Sequence, residues 1–327
     1  MEIDILQAQV GLESTWGTNV TTTAKLMGVT NLSLKPAVET AIHQDRRASF
    51  QPGHLTNTRT VTATGTLDAL LLYEDVAYWL DSLLGTATPS GGGPYVRDYA
   101  MPDSSAPSPK LQTLSYGETG AVETLISALA QKATFKFPRT GELTYSIDLL
   151  GYKVIDTASL AALSDRSVNV AMASDCSLYI DTWAGTIGTT EITSTAWSAE
   201  VVVDTKRDVK FKPGSMMPYG YRHRRFDASL KLRMEANATT LALQTAVLAQ
   251  TAGATVQKQI RLKATRDLTT SLKLFQVDFA GTFLNASEIF PDDDGLGMVE
   301  FEIGATYNST LANSLKIQSK NGVSALV

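Results

Sequence analysis

Cysteine occurs once in the 327 residues, at Cys176, which excludes an intramolecular disulfide framework and any cysteine-cluster zinc or iron–sulfur site. Histidine is almost as scarce. His43, His54 and His223 stand far apart, so neither histidine-rich catalysis nor a histidine metal centre is expected. The 28 basic and 33 acidic side chains leave a net charge of −5, which excludes an electrostatic grip on nucleic acid as a property of the whole molecule. There is no long apolar run. The richest window, Leu67 to Leu84, is interrupted by Asp68, Glu74, Asp75 and Asp81 and does not span a membrane. The opening Met1-Glu2-Ile3-Asp4 is acidic where a secretory signal would be basic, so a soluble protein of a reducing compartment is expected. A phosphate-cradling glycine loop, a dinucleotide fingerprint, a zincin motif and a nucleophile elbow are all missing, so no cofactor is expected, while an enzyme using only Asp and Glu, such as a glycosidase, stays open without positive support. What is present is 43% hydrophobic and 19% charged residues, enough apolar material for a packed core.

The chain repeats itself. Asp45-Arg46-Arg47-Ala48-Ser49-Phe50-Gln51-Pro52-Gly53 returns as Lys206-Arg207-Asp208-Val209-Lys210-Phe211-Lys212-Pro213-Gly214. Upstream, Glu39 to Ile42 matches Glu200 to Val203 in the same register, and downstream both copies enter alternating segments, Thr60 to Leu67 and Asp227 to Met234. Each is followed by a helical stretch. In the first, Tyr73 to Leu84 puts Tyr73, Val76, Leu80 and Leu84 on one face and ends at Gly85; in the second, Asn237 or Thr240 caps about Leu241 to Gln250. Each copy closes with two extended runs around a turn, Pro138-Arg139-Thr140-Gly141 in one and Pro291-Asp292-Asp293-Asp294-Gly295 in the other. The expected fold is mainly β: a short N-terminal arm over 1–24 outside the core, then two tandem sandwich or barrel domains over 25–156 and 167–327, each with one flanking helix. Residues 86–109, rich in Gly, Pro and Ser, read as a loop without a counterpart.

Several local features have a plain explanation beside a sharper one. Asp292-Asp293-Asp294 lacks the alternating spacing of a calcium loop and reads as a hairpin turn. Arg222-His223-Arg224-Arg225 reads as an exposed loop or an inter-subunit ion-pairing segment, making Arg222, Arg224 and Arg225 candidate subunit contacts. Lys206, Arg207, Lys210 and Lys212 read as charges guarding a strand edge. Cys176 reads as a small buried hydrophobe. Trp79 lies off the main stripe of its helix, either at the core edge or, more sharply, in a subunit contact.

The opening Gly11-Leu12-Glu13-Ser14-Thr15-Trp16-Gly17-Thr18, the extended Leu26 to Leu34 after it, and the following order of polar loop, Thr-rich strand with Gly65, short helix and final hairpin resemble the tail tube proteins of long-tailed bacteriophages. The resemblance covers most of the chain in layout. It implies a structural virion protein whose copies form rings that stack into a hollow tail tube for double-stranded DNA. Family members usually carry one such domain per subunit and form hexameric rings. Two units here imply a trimeric ring with pseudo-sixfold symmetry, as in two-domain members. The implied partners are the chain itself and the tape measure, terminator and baseplate proteins. DNA passes without specific binding, no membrane is involved, and the protein is made in the host bacterial cytoplasm for the virion tail. Phe50, Pro52, Gly53, Phe211, Pro213 and Gly214 then become candidate inter-ring assembly loops, with the two phenylalanines as apolar anchors. The alternatives are a carbohydrate-binding or glycan-cleaving β-sandwich and another ring-forming tail component, a terminator or baseplate protein.

Overall fold

From Asp227 to Glu235 the side chains of Ala228, Leu230, Leu232 and Met234 are buried and those between them are exposed, the period-two pattern of a strand with one wet face. Where both faces are covered, burial is continuous, as over Thr124–Ala130. The computed structural model describes residues 6–43, 55–118, 120–157, 159–250, 255–268, 271–291 and 295–326.

The N-terminal half contains β1 (Gln7–Glu13), β2 (Ala24–Leu26), β3 (Val29–His43), β4 (Leu55–Leu70), β5 (Tyr95–Ala100), β6 (Leu111–Glu118), β7 (Ala121–Phe137), β8 (Thr144–Gly151) and β9 (Lys153–Thr157), with helix α1 (Val76–Leu83) after β4. The C-terminal half contains β10 (Cys176–Thr182), β11 (Trp197–Asp204), β12 (Asp208–Lys210), β13 (Gly220–Arg222), β14 (Asp227–Glu235), β15 (Gln257–Leu268), β16 (Ser271–Ala286), β17 (Phe290–Pro291), β18 (Gly297–Ala305) and β19 (Leu315–Asn321), with helix α2 (Ala238–Leu248) after β14. The chain is mainly β, and its sheets do not close on themselves. Both helices lie where the sequence places them. Asn237 caps α2 by accepting from the Thr240 N–H at 3.0 Å, and Gly85 follows α1 at φ +112°, a left-handed conformation that favours glycine.

The same set of antiparallel pairings occurs in both halves. In the first half β1 pairs with β6, β3 with β4, β4 with β8, β6 with β7, and β7 with both β8 and β9. In the second half β10 pairs with β15, β11 with β14, β14 with β18, β15 with β16, and β16 with both β18 and β19. Even a bulge is repeated: β7 slips against β8 between Ala130 and Lys132, and β16 slips against β18 between Phe283 and Asn285. With the bulges aligned, Leu149 corresponds to Ile303, Leu67 to Leu232 and Leu32 to Ala199. This register corrects the one read from the sequence. Glu200 stands opposite Lys231 in the place that Ser33 occupies opposite Thr66, so Glu39 is not its counterpart. The two Phe-x-Pro-Gly segments therefore share a connection between equivalent strands without sharing a position in it.

Two further pairings join the halves. β11 lies against β7, from Phe137 opposite Ala199 to Lys132 opposite Asp204. The resulting ladder runs β3–β4–β8–β7–β11–β14–β18–β16, four strands from each half, all antiparallel. β5 pairs with β19, so residues 95–100 are a strand where a loop was expected, and they complete the sheet of the other half. One apolar core contains side chains of both halves, with Phe135 and Phe137 beside Phe275 at ring separations of 5.4 and 6.1 Å. A buried ion pair, Lys273 to Glu74 at 2.8 Å, also crosses between them.

The expectation of an arm outside the core does not survive. β1 lies between β2 and β6 with Ala8 and Val10 buried. The buried Glu13 carboxylate accepts from Thr113 Oγ1 at 2.6 Å, from the Ser127 N–H at 2.8 Å and from Ser127 Oγ at 2.5 Å. Burial pushes this carboxyl above its usual range against the pull of those donors. An N-terminal strand tied down in this way is part of the fold.

Candidate assembly surface

Equivalent strands are joined by equivalent connections, and these lie at one end of the ladder. In the second half the β11–β14 connection is folded back onto the molecule. Thr205 donates its N–H and hydroxyl to the Gln131 carbonyl at 2.9 and 2.7 Å. Arg207, fully buried, donates to the carbonyls of Ser82, Ala130 and Leu83 at 2.6, 3.0 and 2.7 Å, and its guanidinium lies 5.3 Å from the Phe226 ring. Burial brings this guanidinium down to about 10. It therefore closes the C-terminal end of α1, where free carbonyls and the helix dipole favour a cation. The connection is also held by the indole of Trp16, which donates to the Pro218 carbonyl at 3.0 Å and lies 5.6 Å from the Tyr221 ring.

This arrangement places the candidate residues of the second copy. Phe211 is 39% exposed, and Pro213 and Gly214 are exposed in a turn, with Gly214 at φ +84°. Arg222 and Arg224 both donate to Asp208 Oδ2, at 2.5 and 3.1 Å, an ion-paired triplet within one chain. Arg225 is exposed and lines a cleft of about 840 Å³ together with Lys206, His223 and the 101–107 segment. Trp79 is elsewhere. It is 1% exposed in the core, so as a subunit contact it is corrected: α1 is buried on every side and presents no face to a neighbour. Arg207 is likewise no guard of a strand edge. Cys176 is half-buried, and burial pushes its thiol up to about 12.

In the first half the equivalent connection extends outward. β3 and β4 continue as a hairpin past Ala37, with Val38 and Ile42 exposed, and Glu39 accepts from Arg59 at 3.4 Å and Thr60 at 3.1 Å. Phe50, Pro52 and Gly53 lie in 44–54, and Asp292 to Asp294 in the final hairpin, both outside the described residues. Among the described residues β3 pairs with β4 alone, leaving its other edge open. At the opposite end of the ladder Leu284 is 67% exposed, Ile289 follows, and Leu248 on α2 is also exposed. Exposed apolar side chains beside open strand edges mark a surface built to be covered. Among the described residues no group of three or more His, Cys, Asp and Glu side chains could hold a metal ion, and no helix is long and apolar enough to cross a membrane.

The family model for phage tail tube proteins matches residues 6–306, nearly the whole chain. The chain belongs to that family. No protein of curated function is similar enough in sequence to serve as a relative. The family is structural and non-enzymatic, its place is the virion tail, and its members assemble with themselves and with other tail proteins. The family was legible in the opening segment and the order of elements that follows it. The role of Arg207 was not, because its partners lie far along the chain, Ala130 at 77 residues and Ser82 at 125.

Proposed function

We propose that this chain is the building block of a hollow phage tail tube. Copies join side by side into a ring, rings stack, and double-stranded DNA passes along the lumen without specific contact. The observation that carries this reading is the eight-strand ladder, two matched sets of four with an open edge at β3 and exposed apolar side chains near β16. An edge of this kind must be paired, covered or blunted, and rotational symmetry pairs every edge with a single repeating interface. The recurring pairings support two copies of one ancestral unit, roughly 25–156 and 167–327 with β1 added to the first. Three chains then supply six units, a ring with pseudo-sixfold symmetry.

The dimensions fit the cargo. Three ladders make about 24 strands, which at roughly 4.8 Å spacing and a tilt near 40° close into a backbone cylinder about 48 Å across. Side chains reduce the lumen to the order of 40 Å, against roughly 20 Å for a duplex. A net charge of −5 suits a wall that must not hold DNA. The chain carries no catalysis in this reading. It is made in the bacterial cytoplasm, and its ends in the tail meet tape measure, terminator and baseplate proteins. Negative-stain electron microscopy of the purified protein tests this: uniform hollow filaments are expected, and discrete particles at every concentration and salt would contradict it.

A further inference from the structure

Each of the six pairings that recur in the two halves has its counterpart, but among the described residues the β7–β11 junction between halves has none within the chain. β11 corresponds to β3 and β7 to β16, so the missing counterpart of β7–β11 is β16 against β3. Both strands are free to make it. Beyond Phe283, whose N–H is taken by Val256 at 2.9 Å, no strand lies on the side of β16 away from β18 among the described residues. We propose that β3 of a second copy occupies this edge of β16 in the register that β11 adopts on β7. The inference rests on the ring-forming reading above and specifies which edges meet.

The repeated bulge fixes the register. Gln131 is the bulged residue of β7, and its carbonyl receives the Thr205 N–H; Leu284 is the bulged residue of β16. The position of Thr205 is taken in the first half by Val38, so Val38 of one copy meets Leu284 of the next. These side chains are 56% and 67% exposed and so far apart in the ladder that no single chain brings them together. Next to them Ala37 faces Asn285, where the internal junction has Asp204 facing Lys132. Ser33 likewise replaces Glu200, which faces Lys136. The internal junction carries two acid–base pairs, whereas β3 carries a cation, Lys35, in the place of Val202 and no acid at either acidic position, so β3 beside β7 would set Lys35 between Lys132 and Lys136 with no acidic partner for any of them. Opposite charges at one junction and like charges in the wrong pairing keep the two partners distinct.

Two independent features agree. Because the Thr205 N–H points at β7, strand alternation points the Val203 N–H the same way, and the counterpart of Val203 is Pro36. Proline lacks that N–H, and an outward-facing position on an edge strand is where it is tolerated. The external junction therefore forms with one ladder bond fewer. The helices show the second feature. All eight residues of α1 are buried, partly under the β11–β14 connection, whereas in α2 only Thr240 and Val247 are. The equivalent cover for α2 is the β3–β4 hairpin of the neighbouring copy.

Disulfide trapping tests the junction. In a Cys176→Ser background, Val38→Cys and Leu284→Cys are placed on separate chains, mixed, assembled and oxidised; Ala37→Cys with Asn285→Cys is a second pair. Facing residues of a ladder lie about 5.5 Å apart at Cα, within disulfide reach. About half of the chains, the share that random equal mixing places in facing positions, are expected in covalent dimers containing one of each variant, and only in assembled material. Filaments in which neither pair links would overturn this junction while leaving the tube reading intact; absence of filaments from the unmodified chain would overturn both. Leu284→Asp, a change at an exposed side chain, is expected to leave a folded chain whose assembly needs at least about tenfold more protein. Unchanged assembly of that variant would also overturn the junction.

Discussion

Arg207 is the residue whose role departs furthest from its sequence setting. It stands between Lys206 and Asp208, in a run of charges that suggests a solvated strand edge, yet it is fully buried against three backbone carbonyls. No local pattern could show this, because Ser82 and Leu83 are 125 and 124 residues away. Sequence periodicity reports which face of an element is buried, and it cannot report which distant backbone groups converge on one side chain. Replacing Arg207 by Met removes the cation and leaves buried carbonyls unpaired, each at a cost of roughly 1–3 kcal/mol. A loss of at least about 3 kcal/mol in unfolding free energy is expected from chemical denaturation. Arg207→Lys should recover no more than half, since an ammonium cannot reproduce a planar fork. A loss below about 1 kcal/mol for Arg207→Met would show that water reaches these carbonyls.

Among elements, those with one wet face were legible. β14 alternates cleanly, Asn237 caps α2, and Gly85 follows α1, each where the sequence places it. β3 was only half legible: Leu32 and Leu34 are buried, but from Lys35 to Ile42 almost every residue is exposed, so no alternation marks the extension. β5 was hidden among glycines and prolines, because its only ladder partner among the described residues is β19, more than two hundred residues on. β1 was hidden by its polar members, Gln9 and Glu13, which are buried and satisfied by hydrogen bonds rather than excluded from the core. The Phe-x-Pro-Gly repeat pointed to the right connections and the wrong register. The second of those connections presents an apolar tip: Phe211 is exposed beside a turn that its own chain does not cover among the described residues. If Phe50 is an assembly anchor like the exposed Phe211, Phe50→Ala combined with Phe211→Ala should leave the melting transition within a few degrees, because an anchor for a neighbouring copy contributes little to its own core. It should abolish filaments, or raise the protein concentration they require by about tenfold or more. Filaments of unchanged length and onset from the double variant would remove these residues from the inter-ring contact.

For the molecule as a whole, the sequence suggested two similar units but not how they would join. The fusion of the two halves through β7 and β11 into one eight-strand ladder was not legible, since strands contributing to a junction look like any other strands. That ladder gives the chain a direction, with β3 at one end and β16 at the other, and makes an interface between unlike edges the natural mode of growth. The rotational symmetry of the assembled tube, seen in averaged end-on views or a helical reconstruction, decides the matter most directly. Three chains per ring enclosing a continuous wall of about 24 strands is the expected result. Six chains per ring, or a wall in which the β3 edge remains unpaired, would contradict it.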